Sequence, residues 1–233
     1  MTTAPSATKG PLRVAVLASG NGSNLQALLD RIATGHVEAS VVLVVSDKPD
    51  APAIARARRG NVPAVVALPK EPGEKASAYD ERLLALLQAE KPGLVVLAGY
   101  MRIVGPAIVR AFAGRLINIH PALLPAFKGL QAVRQAHAAG VPEAGCSTHL
   151  VTDDLDGGPP LLQAGLKVRP GETLESLQRR ILALEHLVLP RTVQLFAEGR
   201  IAAGGRIAAS PATTWKTRQD LDLVSGAWYS EGF

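Results

Sequence analysis

Short apolar runs alternate with helix-like patterns along the first half of the chain. Residues 13–18, 39–45, 64–67, 94–98 and 116–119 are runs rich in Val, Ile, Leu and Ala, the signature of strands buried on both faces. Between them, residues 25–34, 52–59, 77–90 and 106–112 carry helical patterns. Strands alternating with helices predict right-handed βαβ units and a doubly wound, mainly parallel α/β sheet of Rossmann-like type. In the usual strand order 3-2-1-4-5, the C-terminal ends of the first, fourth and fifth strands lie side by side, where open α/β sheets bind ligands.

The second half departs from this rhythm. A proline-rich loop over 120–130 precedes a helix near 132–139, strands at 146–151 and 160–168, and a long amphipathic helix over 174–198. That helix carries Leu177, Ile181, Leu184, Val188 and Leu195 at helical spacing, which predicts a cover for the sheet, and Pro190 predicts a kink in it. From Gly204 the pattern dissolves into small residues, ending in Trp215, Trp228, Tyr229 and Phe233, which receive no functional account. The chain therefore divides into a disordered extension over 1–11, one domain over 12–203, and a C-terminal extension of unassigned role over 204–233.

Composition narrows the class. With 233 residues, 47% of them hydrophobic and 19% charged, the chain can bury a full core. A single cysteine, Cys146, allows neither an internal disulfide nor a Cys-based zinc site, and no run approaches the roughly 18 apolar residues of a membrane span. A reducing, cytoplasmic setting without membrane contact is expected. The net charge of +5 favours an anionic partner. Nucleic acid fits poorly, because the basic residues are dispersed, the densest group (Arg56, Arg58, Arg59) reads as a solvated helix face, and aromatics make up only 4%. Small phosphorylated substrates suit the composition better.

Candidate chemistry sits at strand ends. In Leu116-Ile117-Asn118-Ile119-His120-Pro121, Asn118 and His120 are two residues apart, so their side chains leave one face of the strand, and Pro121 ends the ladder. A histidine at a strand end is often only a satisfied hydrogen-bonding residue, and the rest of the chain must decide. The first strand runs into Ser19-Gly20-Asn21-Gly22-Ser23-Asn24, a Gly-rich turn opening a helix with Ser23 or Asn24 as N-cap. Free amides and the helix dipole there favour phosphate. Leu25 stands where a dinucleotide fingerprint needs a small residue, and no Gly-Lys-Ser/Thr is present, so a monophosphate is the better fit. The loop Thr152-Asp153-Asp154-Leu155-Asp156-Gly157-Gly158 is acidic, but an EF-hand register would place Thr152 and Gln163 at the first and twelfth positions, and that motif fails. An ordinary acidic turn remains open for it, and His149, on the preceding strand, reads as a structural hydrogen-bonder.

Four segments together, 19–24, Leu-Ala-Gly-Tyr-Met-Arg at 97–102, Asn-Ile-His-Pro-Ala-Leu-Leu-Pro at 118–125 and Leu-Asp-Gly-Gly-Pro at 155–159, resemble the folate-dependent glycinamide ribonucleotide formyltransferase family of purine biosynthesis, from about Arg13 to Ile201. The resemblance implies a catalytic trio of Asn118, His120 and Asp156, with no metal, and 10-formyltetrahydrofolate as co-substrate. It implies that Gly20, Asn21, Gly22, Ser23 and Asn24 hold the phosphate of glycinamide ribonucleotide and that Glu185 contacts its ribose. It further implies that Met101, Arg102, Val104, Thr152, Asp153 and Asp154 line the folate pocket. Such a trio suits formyl transfer: Asn118 and a protonated His120 can stabilise an oxyanion, while Asp156 holds His120 charged and relays a proton to the leaving folate nitrogen.

Ala122, Gln131 and Val133 depart from the residues common in the family, which touches secondary polar contacts rather than the trio. A 10-formyltetrahydrofolate hydrolase, a methionyl-tRNA formyltransferase and an inactive phosphate-binding module are the competing readings. The intact trio argues against the last, and the short stretches before residue 13 and after residue 198 argue against the added domains of the first two. Oligomeric state is left open, with a homodimer as one option.

Overall fold

A computed structural model describes residues 10–201 and, as a backbone strand, residues 227–231. The elements run β1 (Leu12–Leu17), α1 (Ser23–Ala33), β2 (Ala39–Ser46), α2 (Pro52–Arg59), β3 (Ala64–Ala67), α3 (Ala76–Glu90), β4 (Leu94–Leu97), α4 (Pro106–Ala111) and β5 (Leu116–His120). They continue with α5 (Ala132–Ala138), β6 (Glu143–Leu150), β7 (Pro160–Lys167), α6 (Leu174–Ala197) and β8 (Ala227–Glu231). One sheet holds all eight strands in the order β3-β2-β1-β4-β5-β6-β7-β8. Pairing is parallel from β3 through β5 and antiparallel from β5 to β8. The expected 3-2-1-4-5 order is present, so the ends of β1, β4 and β5 adjoin.

Both faces of the central strands are covered, which is why those strands read as unbroken apolar runs. Along β1, Val14 and Val16 pack with α1, α2 and α6, while Ala15 and Leu17 pack with α3 and α4. In β2 the parity changes midway. Val14 pairs with Val41 but Ala15 with Leu43, so Val42 is an extra residue, and the face buried against α1 and α2 passes from Val41 to Val44. A bulge of this kind keeps the strand apolar on both sides while increasing its twist.

The expected sheet cover is α6, with Leu177, Ile181, Leu184 and Val188 in the same core as α1 and β6. It continues through Pro190, which lacks the N–H that would meet the His186 carbonyl. Two expectations change. The N-cap of α1 is Gly22 in a left-handed conformation, φ 74°, with no side-chain cap from Ser23 or Asn24. A conformation open to glycine at little cost replaces the side-chain device. The C-terminal segment, which shows no element in sequence, contributes β8, antiparallel to β7 with Gln163 opposite Ser230. The expected disorder of 1–11 falls, up to residue 9, outside the described residues, as do the aromatics Trp215 and Phe233. No helix among the described residues is long and apolar enough to cross a membrane.

Candidate active site

The strand ends are tied directly to one another. The Ser19 N–H donates to the Gly99 carbonyl at 3.0 Å, and the Met101 N–H donates to Ser19 Oγ at 2.8 Å, joining the loops after β1 and β4. Beside them β5 ends in Asn118 and His120. Ile117 and Ile119 face the α1/α6 side, so Asn118 and His120 share the opposite face.

Both meet Asp156, which arrives from the β6–β7 loop in a left-handed conformation, φ 47°. Asn118 Nδ2 donates to Asp156 Oδ1 at 3.4 Å, and His120 Nδ1 lies 3.4 Å from Asp156 Oδ2. A shorter bond, 2.8 Å, comes to Oδ2 from the Gly129 N–H. The other ring nitrogen of His120, Nε2, donates to the Phe127 carbonyl at 2.9 Å. Both nitrogens of His120 thus face acceptors, an arrangement that the doubly protonated ring satisfies completely. Gly157 and Gly158 give this loop its close approach. A Cβ at Gly158 would overlap the Leu150 carbonyl, so the glycine there serves strand contact.

His149, expected as a structural hydrogen-bonder, makes its contacts within the trio itself. It stands opposite Asn118 in the β5–β6 ladder, with Nε2 3.1 Å from Asn118 Nδ2 and 3.4 Å from Asp156 Oδ1. Its Nδ1 donates to the Leu150 carbonyl at 2.9 Å. A neutral ring therefore accepts from Asn118, and a charged ring donates to Asp156. Asp156 is held at a pKa of about 2, chiefly by His149, with the Gly129 N–H and the charge of His120 adding to it against the opposing effect of burial. No sequence signal marks His149, because its partners follow from register.

The loop after β1 is built from both sides. Arg56 of α2, read from sequence as a solvated residue, donates through Nε to the Asn21 carbonyl at 2.8 Å and through Nη2 to Asn21 Oδ1 at 3.0 Å. Arg58 and Arg59 are exposed as expected. A Cβ at Gly22 would come within 2.7 Å of Ala53, whereas one at Gly20 meets nothing within 4 Å. Gly22 therefore lets the loop pack on α2, and Gly20 forms the open wall. The side chain of Ser23 is half-buried, and that of Asn24 is buried and donates to Glu185 Oε2 at 2.6 Å, while Asn24 Oδ1 has no partner. Burial pushes the Glu185 carboxyl up to about 7, against the hydrogen bond from Asn24. Glu185 is thereby tied to Asn24 at the start of α1.

The other candidate residues are divided between two loops. Met101 is 61% exposed at the site's rim, but the Val104 side chain is buried in the α3/α4 core. The Arg102 guanidinium lies over the Tyr79 ring at 4.0 Å, and Tyr79 shares a 2.9 Å hydroxyl contact with Tyr100. Thr152, Asp153 and Asp154 are exposed on the loop leading to Asp156, with Thr152 Oγ1 donating to the Asp154 carbonyl at 3.4 Å. Among the described residues, no group of three or more His, Cys, Asp or Glu side chains is placed to hold a metal ion.

Comparison with known proteins gives this arrangement a family. Residues 12–193 match the Formyl transferase family. Phosphoribosylglycinamide formyltransferase of Escherichia coli (strain K12) is 43% identical over 190 residues, 82% of this chain and 89% of that protein. The crystal structure of glycinamide ribonucleotide transformylase 1 from Symbiobacterium toebii superposes with a TM-score of 0.81 at 46% identity, covering 86% of this chain and 94% of the other. A formyltetrahydrofolate deformylase from Pseudomonas syringae pv. tomato shares the fold at a TM-score of 0.77 and 29% identity, but only 63% of its chain is covered. By the extent of the family match and by the identity and coverage of these relatives, the chain belongs to the formyl transferase family, among the phosphoribosylglycinamide formyltransferases.

Proposed function

We propose that Asn118, His120 and Asp156 carry the transfer of the formyl group of 10-formyltetrahydrofolate to the amine of glycinamide ribonucleotide. The amine nitrogen attacks the formyl carbon, the carbonyl electrons move to oxygen, and collapse of the tetrahedral intermediate expels the folate nitrogen. Formylglycinamide ribonucleotide and tetrahydrofolate result, and one proton passes from the attacking amine to the leaving nitrogen. Asn118 Nδ2 and His120 stabilise the oxyanion, each donor worth about 10²–10³ in rate in comparable acyl-transfer sites. Asn118 does so by exchanging its long contact to Asp156 for the substrate. Asp156, with its pKa lowered to about 2, stands as an ionised carboxylate beside His120 Nδ1 and receives the proton directly or through water on its way to the folate.

The observation that carries the reading is the adjacency of three strand ends: Ser19, Gly99 and Met101 tie the loop after β1, with Glu185 bonded to its Asn24, to the loop after β4, and β4 pairs with β5 at Leu97 and Asn118, beside the trio. The turn holds the acceptor phosphate and Glu185 its ribose, which aims the amine at the formyl carbon, an alignment worth up to ~7–11 kcal/mol. Met101, Arg102, Val104 and residues 152–154 hold the folate. Each chain carries its own trio, so neither a homodimer nor nucleic acid is needed for the reaction. The reading places the enzyme in the reducing cytoplasm, where a buried free thiol such as Cys146 persists.

The alternative acceptor is water, as in the deformylase that shares the fold. Donor consumption and formate release, followed with and without glycinamide ribonucleotide, separate the two. Fast tetrahydrofolate release only with the acceptor present, and little formate, is expected. Formate release as fast as transfer would promote the hydrolase.

A further inference from the structure

We propose that Gln163, acting through Ser147, is a positioning residue for formyl transfer: it clamps the loop whose backbone holds both His120 and Asp156. The inference rests on the assignment of His120 and Asp156 made above.

The loop between β5 and α5 supplies the Phe127 carbonyl to His120 and the Gly129 N–H to Asp156. It contains no helix or strand, and Phe127 (φ 53°) and Gly129 (φ 79°) are both left-handed. For Phe127 that conformation is unfavourable and persists only where the surroundings hold it. The hold comes from a row across the sheet. His120 stands opposite Ser147 in the β5–β6 ladder, and Ser147 stands opposite Gln163 in β6–β7, so the three side chains share one face. The opposite face of β6 and β7 is covered by α6.

Ser147 Oγ donates to the Ala122 carbonyl at 2.6 Å and accepts from the Leu124 N–H at 3.0 Å and from Gln163 Nε2 at 2.7 Å. One donor and two acceptor sites are the full capacity of a hydroxyl, and all are used. The second hydrogen of Gln163 Nε2 goes to the Leu124 carbonyl at 3.0 Å. Ser147 and Gln163 are buried, so each of these bonds would leave a dry, unpaired group if broken. Two uncharged residues thus fix where the loop starts. From there the chain has only three residues to place Phe127 and its carbonyl.

Gln163→Met keeps the side-chain length and removes both N–H groups. The expected result is a fall in kcat of about 10–100-fold, the scale of a small misplacement of reacting groups. KM for glycinamide ribonucleotide should stay within about threefold, because the Gly20–Asn24 turn is not touched by the clamp. Hydrogen exchange at the Gly129 amide should quicken. In a His120→Ala background the same substitution should cost less, since one of the two groups it positions is gone. A folded Gln163→Met with wild-type kcat and unchanged Gly129 exchange overturns the proposal, and so does an equal loss of kcat in both backgrounds. If Gln163→Met fails to fold, Ser147→Ala opens the same junction by deleting one oxygen and is judged by the same criteria. Wild-type turnover by His120→Ala would instead overturn the trio, a result distinct from failure of the clamp alone.

Discussion

Asn118 and His149 face each other across β5 and β6, and the amide nitrogen of the first lies 3.1 Å from Nε2 of the second. Because His149 also lies 3.4 Å from Asp156, the strand pairing itself links two members of the trio. Removing His149 leaves Asn118 or Asp156, whichever its ring state serves, short of one partner. A hydrogen bond to a charged group is worth about 1.5–3 kcal/mol, so His149→Leu should lower kcat by about 10–100-fold. Steady-state kinetics with both substrates saturating measures this, and unchanged kcat would show that His149 is only a structural neighbour.

Asp156 gives a test in acid. Its pKa is lowered to about 2 in the fold, so it contributes stability that is fully present above the unfolded value near 3.8 and lost as pH falls towards 2. The shift corresponds to about 2 kcal/mol. Asp156→Asn should therefore lose stability at neutral pH and show a flatter stability curve between pH 5 and 2. Its kcat should drop by ~10²–10⁴ while glycinamide ribonucleotide still binds. Urea unfolding across this pH range, beside turnover at pH 7, checks both parts.

Glu185 should behave in the opposite sense. Its folded pKa, raised to about 7 by burial, means that folding is weakened as pH rises from 4.5 through 7, by about 3 kcal/mol. Glu185→Gln removes that loss, so the variant should gain stability on the wild type as pH rises from 5 to 8. It should also raise KM for glycinamide ribonucleotide with kcat nearly intact, since the ribose contact is far from the formyl carbon. A parallel Tm-against-pH curve for the two proteins would count against the buried carboxyl.

The two glycines of the phosphate turn should separate. A side chain at Gly22 collides with Ala53 and must adopt φ 74°, so Gly22→Val should damage the fold itself and impair both substrates. Gly20→Ala meets nothing within 4 Å and should leave Tm within a degree or two of wild type, a surface-like change. Its methyl group narrows the open wall, so KM for glycinamide ribonucleotide should rise while KM for the folate holds. An unchanged KM for glycinamide ribonucleotide in Gly20→Ala would move the phosphate away from this turn.

Much of this protein is determined by local pattern. Apolar runs separated by helical periods select the parallel α/β sheet, because a strand buried on both faces cannot tolerate alternation. The two-residue spacing of Asn118 and His120 places them on one face wherever the strand lies. The usual doubly wound strand order then brings the ends of β1, β4 and β5 together. Other features depend on contacts that no local pattern encodes. Asp156 reaches Asn118 across 38 positions, and His149 meets Asn118 only through the antiparallel register of β5 and β6. Shifting that register by one residue would turn His149 to the other face of the sheet. The fold of Arg56 onto Asn21, the packing of Gly22 on Ala53 and the addition of β8 to β7 are likewise decided by which elements become neighbours. Sequence periodicity selects the faces of elements, but a hydrogen bond needs its two atoms within about 3 Å, and only the assembled sheet brings them there.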